Sequence, residues 1–93
     1  MNKEDLKREI NNTIDGLATK INEMEAKKDR VKEETKDRYD GTLQMMKEKR
    51  KELKSKYEEV EGASEEKWNE IKTSLDSAKG YFEKGVKEMT SAF

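Results

Sequence analysis

The side chains in this sequence that could do chemistry are carboxylates, ammonium and guanidinium groups and hydroxyls. Twenty-two Asp and Glu stand beside twenty-one Lys and Arg, and there is no histidine and no cysteine. Without imidazole or thiol, the usual nucleophile–base pairs cannot be assembled. An ordinary zinc site and a disulfide framework are missing for the same reason. Paired carboxylates could act as acid and base, but Glu58/Glu59 and Glu65/Glu66 are sequence neighbours. Adjacent side chains on a helix point apart rather than converge, so these pairs read as surface charge. The five glycines are scattered and form no phosphate loop; Gly80 and Gly85 read as close-approach or flexible points within a helix. The expectation is a non-enzymatic protein without catalytic, cofactor or metal site.

One stretch could bind by charge. Lys47 to Lys56 carries six positive and two negative residues, and Tyr57 to Glu66 carries five acids and no base. Nucleic acid binding would require the basic run to act despite that neighbour and a net charge of −1. Pairing of the two patches between antiparallel helices or subunits, fixing their register, is the better reading.

The elements that position these groups are helices. There is no proline in 93 residues, and proline is the residue that breaks helices most severely. Only 30% of residues are hydrophobic and 46% are charged, too few apolar side chains for a broad globular core. The charges are interleaved and nearly balanced, so the chain does not repel itself into disorder. Acid-before-base pairs at i,i+4 recur, as in Glu4/Arg8, Glu23/Lys27, Glu34/Arg38 and Glu52/Lys56, each contributing ~0.2–0.5 kcal/mol to a helix. No alternating β-branched segment reads as a strand. The N-terminus lacks the apolar core of a signal peptide, and nothing approaches the ~20 apolar residues of a membrane-spanning helix. A cytoplasmic protein is the expectation.

An apolar seam runs from Ile10 through Ile14, Leu17, Ile21, Met24, Lys28, Val31, Thr35, Tyr39, Leu43, Met46, Arg50, Leu53, Tyr57, Val60 and Ser64 to the C-terminal third. There it continues through Trp68, Ile71, Leu75, Ala78, Phe82, Val86, Met89 and Phe93, the largest apolar block in the chain. Its mean step is about 3.6 residues, which predicts nearly straight helices with little supercoil. Two interruptions coincide with glycines. At the second, Gly62 suits the left-handed position beyond a helix end, Ser64 is a favoured N-cap, and Glu65 and Glu66 follow in the first turn. Gly62 and Ser64 are therefore the expected hinge, with a further break near Gly41 as an alternative to a continuous helix.

The expected organisation is a long charged coiled-coil helix over 1–61 and an amphipathic helix over 62–93. This makes an all-α, elongated coiled coil or hairpin of two long helices, or three, assembling into an oligomeric bundle. Folded back as a hairpin, the shorter helix would cover only about 33–60, leaving Leu6, Ile10, Ile14, Leu17, Ile21 and Met24 without a partner. That uncovered face argues for a homo-oligomer, with these residues and Trp68, Ile71, Leu75, Ala78, Phe82, Val86, Met89 and Phe93 at the interface or core. A second reading lays the C-terminal helix on a lipid surface, with Trp68, Tyr81, Phe82 and Phe93 as anchors and Lys72, Lys79, Lys84 and Lys87 on the water side. The lysines are balanced by Glu70, Asp76, Glu83 and Glu88. A different protein as partner stays open as well.

At Tyr39-x-x-x-Leu43, Leu53-x-x-x-Tyr57 and Ala63-Ser64-x-x-x-Trp68-x-x-x-Lys72, the chain resembles a family of small bacterial coiled-coil proteins often labelled stress-response proteins. The general plan matches over nearly the full length. Gly41 and Gly62 depart from the smoother helices of that pattern. The resemblance implies a stress-associated structural scaffold and no defined biochemistry. More loosely, the chain is similar to late-embryogenesis-abundant and apolipoprotein-type amphipathic repeats, which implies helix formation on drying or on lipid.

Overall fold

A computed structural model describes residues 2–93. It contains three helices, α1 (Lys3–Lys27), α2 (Lys36–Glu59) and α3 (Glu65–Ser91). Two short 3-10 turns, Lys28–Arg30 and Glu33–Thr35, join α1 to α2. The helices pack side by side in a rod of 46 × 19 × 18 Å. The fold is all-α, and three helices rather than two build it.

The helix starts follow their local chemistry. Asn2 caps α1 by accepting a hydrogen bond from the Asp5 N–H at 2.8 Å, and Glu4 and Asp5 occupy the first turn. Ser64 caps α3 in the same way, accepting from the Lys67 N–H at 3.2 Å, with Glu65 and Glu66 behind it. Each such cap is worth ~1 kcal/mol. The α2 start has no side-chain cap; the 3-10 turn before it delivers the chain instead.

The segment 1–61 is not one helix. It breaks at 28–35, where Val31 and Lys32 take extended backbone angles. The physical reason lies in the seam. Lys28 and Thr35 fall on seam positions, so a helix continued through them would press an ammonium into the core. Turning there leaves Val31 half-buried and the charged residues in solvent. Gly41, the alternative break point, lies inside α2 and is exposed. The break after α2 falls where expected, but no glycine has a positive φ, so Gly62 does not use left-handed geometry.

Two contacts give the direction of each helix. Glu61, just past α2, pairs with Lys3 and Lys7 at the start of α1. The Lys32 N–H, before α2, donates to the Ala92 carbonyl just past α3 at 3.0 Å. The helices therefore alternate in direction, with α1 and α3 running the same way and α2 against them.

Candidate interaction surface

Burial shows which faces meet. In α1, Leu6, Ile10, Leu17, Ile21 and Met24 are buried, and Ile14 is half-buried against the same core. In α2 the buried residues are Tyr39, Thr42, Leu43, Met46 and Leu53, with Val60 just beyond. In α3 they are Ile71, Leu75, Ala78, Gly85 and Glu88, with Ala92 beyond. The face Leu6–Met24, expected to lack a partner, is covered by α2 and α3 of the same chain. The geometric premise for self-association is therefore gone.

The seam also has a different period. Tyr39, Met46, Leu53 and Val60 are spaced by sevens, and so are Ile71, Ala78, Gly85 and Ala92. Ile10, Leu17 and Met24 repeat the pattern in α1. A strict heptad is the repeat of left-handed coiled-coil packing, not of straight helices. The longer mean step arises where the seam crosses the two breaks between helices and again in the last two turns of α3. Choosing the larger apolar residue at each step selects Val86 and Phe93, but Val86 is 39% and Phe93 46% exposed. The residues facing inward there are the small ones before them, Gly85 and Ala92. Hydrophobicity alone hides such positions; seven-residue spacing from Ile71 would have found them. Trp68, Phe82 and Met89 are half-buried at the edge of the core.

Three polar features sit among these apolar contacts. The Tyr39 hydroxyl donates to the Met24 carbonyl at 2.7 Å, tying α2 to the end of α1. Burial pushes this phenol above its ordinary range, with Asp40 and Glu25 adding to the shift. Glu88 is 5% exposed, and its carboxylate accepts from Arg38 Nε through both oxygens, at 2.8 and 3.1 Å. The Thr42 hydroxyl is buried without a partner.

The exposed charges tie helices together at particular points. Lys47 of α2 pairs with Glu25 of α1, and Lys79 of α3 with Glu9 of α1 at 3.3 Å. The hydrogen bond from Lys7 holds the Glu61 carboxyl below its usual range, with Lys3 adding to it; that from Lys47 does the same for Glu25. Lys7 is in turn raised by Glu61. The basic run and the acidic stretch meet only at Lys56–Glu59, within one helix. Among the described residues they form no ion pair across helices, so register is set elsewhere. None of the four i,i+4 pairs named above closes; the sequence-local pairs that do are i,i+3, such as Lys20–Glu23 and Lys67–Glu70.

Concave places on the outside include two at helix contacts. A groove of about 200 Å³ between α1 and α3 is lined by Asn12, Thr13, Gly16, Lys79 and Phe82, and the Phe82 ring would meet a Cβ on Gly16 at 3.5 Å. Val86 and Phe93 are exposed toward the C-terminus, and the Phe93 ring stands edge-on to Tyr39 with 6.2 Å between centroids. The second, about 360 Å³, lies at the α2–α3 turn among Glu58, Glu59, Gly62, Ala63, Ser64 and Lys67. Among the described residues no group of carboxylates is arranged to hold a metal ion. Among the described residues no helix is long and apolar enough to cross a membrane.

No family model matches the chain, and no curated protein or solved structure is significantly similar to it.

Proposed function

We propose that the protein is a non-enzymatic structural and interaction module of the cytoplasm that works as a folded bundle and associates with copies of itself through its outer surface. One observation supports this reading: the heptad seams are consumed within the chain, while Val86 and Phe93 leave apolar surface exposed toward the C-terminal end of α3. Self-association of this kind joins finished bundles and does not build them. A role as a stress-associated scaffold is the cellular theme that the sequence resemblance supplies.

Sedimentation equilibrium of the full chain, from micromolar to millimolar, tests the reading. The expected result is a folded monomer in reversible equilibrium with a larger species, weakened in a Val86→Ser/Phe93→Ser variant of unchanged helicity. A monomer at every concentration would contradict it.

The second reading, binding to a lipid surface, draws on the same exposed Val86 and Phe93. Trp68, Tyr81 and Phe82 are already half-buried in the bundle, so α3 would have to lift from α1 and α2 to offer them as anchors. Added anionic vesicles would then change the Trp68 fluorescence and raise the exposure of the α1–α2 face to hydrogen exchange. No change in either would remove this reading.

A further inference from the structure

We infer that the chain has a second folded form, a dimer in which two copies exchange α1 and each straightens α1 and α2 into one long helix. The inference goes beyond the reversible association proposed above, because a bundle must open before this dimer can form.

The connection between α1 and α2 is poised for the change. Lys28–Arg30 and Glu33–Thr35 are already 3-10 turns. Only Val31 and Lys32 between them are extended, with φ −69° and −58° but ψ 137° and 139°. Their φ values are already helical, so turning ψ at two residues to about −42° makes the helix continuous. No glycine or proline occurs from Lys28 to Thr35, and the α2 start has no side-chain cap to lose. Straightening also gives helical partners to backbone groups that two helix ends leave open. The turn after α2 is different. Gly62 and the Ser64 cap stand there, so α2 and α3 stay separate.

The pairing of α1 with α2 fits a two-fold axis at the same place. Met24 meets Tyr39, Lys7 meets Tyr57 and Lys3 meets Glu61. These pairs are centred on Val31 and Lys32; the long Lys47–Glu25 pair is centred one turn further on. Two straightened chains laid antiparallel therefore remake these contacts between copies, with the axis at the two opened residues. The α1–α3 contacts of Glu9 with Lys79 and Gly16 with Phe82 are remade in the same way. Lys28 then lies opposite Thr35 of the second copy and not opposite another charge. What is given up is the bond from the Lys32 N–H to the Ala92 carbonyl. The bundle end that carries Phe93, edge-on to Tyr39, becomes the middle of the dimer, where the Phe93 and Val31 side chains of both copies gather. Exchange of an identical element is a low-cost route to a dimer, because its contacts are those of the monomer. A short connection holds α1 at an effective concentration of about millimolar, so the closed bundle prevails when dilute.

Refolding from denaturant at millimolar concentration, followed by dilution, tests this by size-exclusion chromatography and small-angle scattering. The expected product is a dimer about twice the 46 Å length of the bundle that persists on dilution, whereas surface-associated bundles separate at once. The protein has no cysteine, and residues 25 and 47 are paired across α1 and α2. Glu25→Cys and Lys47→Cys chains refolded together should therefore be joined chain to chain by a short bismaleimide, and neither chain alone should be. Glu33→Pro holds Lys32 extended and places proline at the first position of a turn, where it is accepted. It should abolish the persistent dimer with helicity unchanged. Lys28→Leu/Thr35→Leu, which makes the seam continuous, should raise its yield. Only monomer and rapidly separating species after refolding, no cross-link in the mixture, or an equal yield of persistent dimer from Glu33→Pro overturns the inference. Each of these leaves the reversible association standing, since that rests on Val86 and Phe93.

Discussion

Met46 fills the space left by Gly85. A Cβ built on Gly85 would lie 2.6 Å from the Met46 sulfur and 2.7 Å from its terminal methyl, both well inside van der Waals contact. Met46 is fully buried, so its thioether has no outward path of retreat. The pair is a large residue set into a small one, the knob and hole of coiled-coil packing.

Enlarging residue 85 should therefore destabilise the fold. Gly85→Leu is expected to cost ~1–3 kcal/mol through overpacking, read from the denaturant midpoint. Met46→Ala in the same chain should recover part of that loss. Gly80 gives the contrast: it lies inside α3, and a Cβ there meets nothing within 4 Å. Gly80→Ala should stabilise by ~0.5–1 kcal/mol, the ordinary gain of alanine over glycine in a helix. Destabilisation at both sites would contradict the assignment of Gly85 as the inward position.

Leu17 is fully buried between the helices. Leu17→Ala should cost ~2–5 kcal/mol. Val86→Ala, at an exposed site, should stay within ~0.5 kcal/mol. A seam that faced another subunit would reverse the dependence on concentration: the Leu17→Ala loss would then vary with protein concentration, and here it should not.

The Tyr39 hydroxyl links α2 to α1 through the Met24 carbonyl. Tyr39→Phe should cost ~0.5–1.5 kcal/mol. Because burial raises this phenol above its ordinary value of 10.0, its contribution is full below that pH and is lost as pH rises through the folded value. The difference between the natural chain and Tyr39→Phe should narrow in strong alkali, as followed by chemical unfolding at each pH.

Glu61 behaves in the opposite sense. Its pKa is lowered from 4.5 by Lys7 and Lys3, so the stability it supplies is present above that value and is lost as pH falls through the folded one. Thermal unfolding of the natural chain and Glu61→Gln should differ at neutral pH and converge in acid. The pair is exposed, so added salt should also shrink the difference. A difference that persists unchanged in acid would contradict the pairing.

The sequence makes the helices legible because their signals are local. Ser64 with Glu65 and Glu66, the heptad members of α2, and the absence of proline all identify elements without reference to tertiary contacts. The break at 28–35 carries no glycine, proline or strong cap, and only polar residues on seam positions mark it; that signal was available in Lys28 and Thr35 but competes with Gly41, which looks like a better breaker and is not used. Gly85, Ala92 and Glu88 were hidden for a different reason. Two are small and one is charged, so a search for apolar side chains passes over them. Each is inward only because of what faces it: Met46, the chain around Lys32, and Arg38. The location of the break then decides the fate of the Leu6–Met24 face. With one long helix it has no partner in the chain, and with two helices it has α2 and α3.

One chain completes its own core. Far-UV circular dichroism across a wide dilution series, from millimolar to below micromolar, tests it most directly. Helicity should be high and constant on dilution, whatever the larger species formed at high concentration. Helicity that falls as the protein is diluted would contradict it, because the seams would then be buried between chains and not within one.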